Sequence, residues 1–118
     1  MTHTAEATVY IVDEMVVRPG RARAFLSAYL ERYAPGAEAR GLTLERALVS
    51  PPVWLDDQSN TVTVTWTVPG ADAWWQQRWA AGRDPDVARW WADADDWLIS
   101  RTRSTSCAVE DLTEVSGV

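Results

Sequence analysis

The chain has 118 residues, enough for one domain with a modest core, and its 47% hydrophobic and 24% charged residues are the balance of a globular protein. A net charge of −6, with all 11 cations arginine, makes nucleic acid a poor partner, because its phosphates would be repelled. Cys107 is the single cysteine and His3 the single histidine, which excludes an internal disulfide, Ser-His-Asp and Cys-His nucleophiles, histidine-ligated haem and most zinc sites. His3 falls in an N-terminal tail expected to fray. No apolar run approaches the ~20 residues that cross a bilayer. The first ten residues lack the basic start and apolar stretch of a signal peptide, so a cytoplasmic location without membrane contact is expected.

Residues 8–17 are rich in β-branched side chains and predict a strand. One face carries Val9, Ile11, Asp13, Met15 and Val17; the other carries Tyr10, Val12, Glu14 and Val16. Arg18-Pro19-Gly20 breaks it. Ala22, Phe25, Leu26, Tyr29, Leu30 and Tyr33 then follow helical spacing, and Pro35-Gly36 is expected to end the regular helix, with a possible extra turn over 37–40. A second strand is predicted over 42–50, stopped by Pro51-Pro52, and a polar turn over 56–60. Over 60–68 valines and Trp66 alternate with threonines, the clearest strand pattern in the chain. A helix over 71–81 is expected to stop at Gly82. Asp84-Pro85 supplies an N-cap and a first-turn proline for a helix running to about Leu98. A final strand is predicted over 100–109, with loose residues after it.

This order, strand, helix, strand, strand, helix, strand, predicts an α+β ferredoxin-like βαββαβ fold with two helices on one face of a four-stranded antiparallel sheet. It forms a single domain over 1–118, with an ordered core about 8–110. The other sheet face would leave Tyr10, Val12 and Val16 in water, so a homodimer that pairs two sheets is expected.

Val16-Val17-Arg18-Pro19-Gly20 followed by Arg21 to Phe25, together with Arg83-Asp84-Pro85-Asp86-Val87, resembles the strand–Pro-Gly–helix opening and the second-helix start of the dimeric α/β-barrel superfamily. That superfamily includes antibiotic-biosynthesis monooxygenases, small polyketide cyclases, stress-responsive barrel proteins and NIPSNAP-type proteins. The resemblance spans roughly residues 8 to 110. It implies a paired-sheet barrel, and it implies either small-molecule chemistry in secondary metabolism or ligand binding. Several enzymes of the group use a pocket histidine, which the body of this chain does not have.

The eight tryptophans exceed what so small a core absorbs, since each indole N–H wants a partner. Trp90 and Trp97 read as core. Trp66, Trp75, Trp79 and Trp91, with Tyr29 and Met15, read as walls of a cavity for an aromatic or polycyclic ligand, closed between the sheet and the helices. Asp13 interrupts the more apolar face of the first strand. It is either a general base in that cavity or one half of a buried ion pair with Arg46, Arg101 or Arg103. Arg101 and Arg103 share one face of the last strand, where they steady an anion or neutralise Asp13 or Glu14. Glu14 reads as an interfacial salt bridge, and Tyr10, Tyr29 and Tyr33 as core hydroxyls or donors to a bound oxygen. Asp93, Asp95 and Asp96 read as a solvated face and Cys107 as packing. The functional expectation is a cyclase, isomerase, lyase or cofactor-independent monooxygenase acting on an aromatic or polyketide-like substrate without metal, haem or other cofactor. The alternative is a non-catalytic binding or sensing protein.

Overall fold

The computed structural model describes residues 7–117, so His3 and its tail lie outside the described residues. β1 (Thr8–Val17) and β3 (Thr61–Pro69) form the middle of a four-stranded sheet in the order β2-β3-β1-β4, with β2 (Thr43–Ser50) and β4 (Leu98–Cys107) at its edges. All three pairings are antiparallel. Period-two alternation decides the faces: Val9, Ile11, Asp13, Met15 and Val17 are buried, as are Val62, Val64, Trp66 and Val68. Against this face pack Phe25, Tyr29, Trp90 and Ala94 from the helices. The fold is the α+β arrangement that the element order predicts.

The first helix, α1, is longer than expected. It runs as α-helix over Ala22–Ala28, widens into a π turn over Tyr29–Tyr33, and resumes over Ala34–Ala39. Pro35 does not end it. A proline ring collides with the carbonyl four residues back, and the wide turn just before Pro35, where the Ala34 N–H reaches the Tyr29 carbonyl, relieves that conflict. α2 (Gly70–Arg83) likewise passes through Gly82, whose cost of about 1 kcal/mol against alanine a helix tolerates. It breaks at Asp84, held extended at φ −92° and ψ 111° by the proline that follows.

α3 (Pro85–Asp95) starts as expected, with the Asp84 carboxylate accepting the Asp86 N–H at 2.9 Å. It ends three residues early, because Leu98 is recruited into β4 opposite Val17 and three acidic residues crowd the negative end of the helix dipole. The residues after β4 are ordered: a 3-10 turn over Val109–Asp111 leads into a short α4 (Leu112–Ser116), whose Val115 packs against the core. No helix of the described residues is long and apolar enough to cross a membrane.

Candidate functional site: an arginine-anchored cleft

The alternation of β1 carries Asp13 into the core, where its residue is 1% exposed. Burying a carboxylate without a partner is prohibitive, and the sheet register supplies one by setting Arg103 of β4 directly opposite. Arg103 donates from Nε to Asp13 Oδ1 at 2.6 Å and from Nη2 to Oδ2 at 2.8 Å, a bidentate fork. The Tyr29 hydroxyl donates to Oδ2 at 2.8 Å and accepts the Trp66 indole N–H at 2.6 Å. Arg103 Nη2 also donates to the Tyr33 hydroxyl at 2.7 Å, and Arg40 Nη2 reaches the same oxygen at 3.4 Å. Tyr29 and Tyr33 lie one π turn apart on α1 with ring centroids separated by 5.1 Å, so the irregular turn aims both hydroxyls at the Asp13–Arg103 pair.

Burial, and after it the charge of Asp13, pushes the Tyr29 phenol far above its ordinary value. Burial pulls Arg103 down, but the hydrogen bonds and charge of Asp13 outweigh it and hold the guanidinium above its ordinary value.

Arg103 keeps 34% of its side-chain surface open, on a cleft of about 100 Å³ lined by Asp13, Met15, Trp91, Arg101, Thr102 and Arg103. Both guanidiniums lie over the Trp91 ring, Arg101 at 4.5 Å and Arg103 at 5.7 Å from its centroid. Arg101 is tied to Asp95 through Nε at 2.7 Å and Nη2 at 3.4 Å, and its hydrogen bond holds the Asp95 carboxyl below the usual range. The Nη1 groups of Arg101 and Arg103 donate to no acceptor among the described residues. Two fixed guanidiniums with spare donors beside an indole suit a flat anion.

No family model matches the chain, and no curated protein does. Solved structures do. A NIPSNAP family protein from Agrobacterium tumefaciens matches at 15% identity over 93% of each chain, with a TM-score of 0.68. A NIPSNAP domain protein from Burkholderia xenovorans matches at 13% identity over 86% of this chain and 94% of its own, at 0.67. A candidate antibiotic biosynthesis monooxygenase from Nitrosomonas europaea matches at 10% identity over 92% of this chain and 96% of its own, at 0.62. The chain shares the ferredoxin-like fold of these structures.

Within this fold, Asp13, Met15, Trp91, Arg101 and Arg103 come together at one cleft. The other expected wall residues do not join them. Trp66 and Tyr29 are 0% exposed and sit inside the core, their polar atoms spent on each other and on Asp13. Trp75 and Trp79 are exposed on α2, because that helix turns them away from the sheet. The closed, tryptophan-walled cavity expected between sheet and helices is filled by Phe25, Tyr29, Trp66 and Trp90. Asp13 is also no free carboxylate: three donors occupy its two oxygens. Of the three arginines considered as its partner, the register selects Arg103, while Arg46 pairs with neighbouring Glu45. Asp93 and Asp95 each pair with an arginine, and no acidic cluster among the described residues suits a metal ion. Tyr33, expected as a core hydroxyl or a donor to a bound oxygen, is central to the network as the acceptor of two guanidiniums. The signal was the Tyr29/Tyr33 pair just ahead of Pro35.

Proposed function

We propose that the protein accepts a flat organic anion, an aromatic carboxylate, phenolate or enolate of the polyketide type, at Arg103 and Arg101 beside Trp91. One observation carries the reading: a guanidinium clamped by Asp13 and Tyr33 yet open on its far edge to a cleft. A preorganised cation of this kind stabilises negative charge on an oxygen as a neighbouring proton leaves, which is how a cofactor-independent cyclase, isomerase, lyase or monooxygenase would use it. Asp13 then acts as the positioning residue for Arg103, not as the base. A second reading, a binding or sensing protein, draws support from that same tied carboxylate, since none of the residues lining the cleft is a free base. The unpaired outer sheet face, with Tyr10, Val12 and Leu48 around an open concavity of about 460 Å³, supports a homodimer.

The test uses tryptophan fluorescence with benzoate, 1,3-cyclohexanedione and neutral benzamide. The two acids should bind at least about tenfold more tightly than benzamide, and Arg101→Gln should erase the difference. Equal binding of all three, or none, sinks the anion site. In deuterated buffer, catalysed loss of the C2 proton signal of the dione beyond the buffer rate supports the enzyme; binding without exchange supports the sensor.

A further inference from the structure

A second cleft, of about 160 Å³, lies between the end of α1 and the start of α3. Its α1 wall carries Arg32, Tyr33 and Arg40, and its α3 wall carries Asp84, Asp86 and Trp90. Two of these four charges are already matched. Arg32 is paired with Asp93 at 2.7 Å, and Asp86 with Arg89 at 2.7 Å. Two are not: among the described residues Arg40 has no carboxylate and Asp84 no cation within ion-pair distance.

Arg40 is poorly satisfied in other ways. Its Nε–H is shielded from water without an acceptor among the described residues, and its one side-chain hydrogen bond is the long contact to Tyr33. The guanidinium lies against Gly36, where a Cβ would stand 3.3 Å from Nη1, so the glycine leaves it room. A part-buried cation without a counter-ion is costly. The Tyr33 oxygen already accepts from two guanidiniums, which leaves its own hydrogen to donate. On the facing wall Asp84 spends Oδ1 on the helix cap and keeps Oδ2 free.

An orphan cation with a hydroxyl donor on one side, and an orphan carboxylate on the other, form a dipolar site with no excess of either charge. We infer that this cleft binds a compact zwitterion of the α-amino-acid type, its carboxylate on Arg40 and the Tyr33 hydroxyl and its ammonium on Asp84. The space equals roughly five waters at about 30 Å³ each, which suits a small amino acid. Val87 and Trp90 give it an apolar floor. A phosphate dianion is disfavoured by Asp84 and Asp86, and a simple amine by Arg40.

Calorimetric titration of the full chain with L-valine, acetate and methylammonium tests this. Valine should saturate a single site, and acetate and methylammonium should each bind at least about tenfold more weakly. Arg40→Gln should weaken valine at least about tenfold. Asp84→Asn keeps a capping oxygen, so the helix and the melting temperature survive; valine binding should fall while acetate binding holds or rises. No saturation by valine, equal affinity for valine and acetate, or full valine affinity in either variant overturns the inference.

Discussion

At the scale of single residues, the molecule is organised around one buried ion pair. The attraction between Asp13 and Arg103 offsets the cost of taking both from water only because the fork is bidentate and Tyr29 satisfies a further lone pair. Arg103→Met strands a buried carboxylate and should cost about 3–5 kcal/mol in urea unfolding. The double variant Asp13→Leu/Arg103→Met removes both charges and should recover most of that loss; a double variant no more stable than the single one would show that the pair is not the source. Tyr29 gives a pH prediction. Its folded pKa lies above the unfolded value near 10, so its contribution is intact below about pH 10. It is lost as pH rises further, because the unfolded phenol ionises first. The absorbance change near 295 nm that is lost in Tyr29→Phe should therefore appear only as the chain unfolds, and a reversible Tyr29 titration in the folded state would contradict this.

At the scale of elements, the two glycines at helix borders behave oppositely. Gly20, at φ +75°, links β1 to α1 in a conformation that costs a side chain about 1–3 kcal/mol. A Cβ there would also stand 2.5 Å from the Asp56 carbonyl oxygen, a backbone atom that cannot step aside. Gly82, inside α2, has nothing within 4 Å of a Cβ. Gly20→Ala should lower the melting temperature by roughly 5 °C or more, whereas Gly82→Ala should raise stability by about 0.5–1 kcal/mol. Thermal melts of the two variants check both signs. The helix starts were legible because their signals are local: Asp84 caps and Pro85 follows. The π turn was not, since proline reports only that the regular ladder is disturbed and leaves open whether the helix stops or widens.

At the scale of the whole molecule, the helices cover one sheet face and leave the other with Tyr10, Val12 and Val16 half-buried and Leu48 52% exposed. Pairing with a second copy would remove this surface from water at about 25 cal/mol per Å². The protein should therefore sediment as a dimer at micromolar concentration, and Val12→Asp should yield a folded monomer. A wild-type chain that stays monomeric under those conditions would refute the pairing.

The sequence by itself determined the element order, the buried face of each central strand, and that Asp13 must meet a cation or be neutralised. These follow from period-two and period-3.6 patterning and from the cost of burying charge, all local or pairwise properties. Tertiary structure alone decided which arginine answers Asp13, that Trp66 and Trp90 fill the interior while Trp75 and Trp79 face outward instead of walling a cavity, and that Arg40 and Asp84 line one cleft. Register between β1 and β4 and the volume left between helices and sheet depend on contacts up to 90 residues apart, which no window along the chain contains.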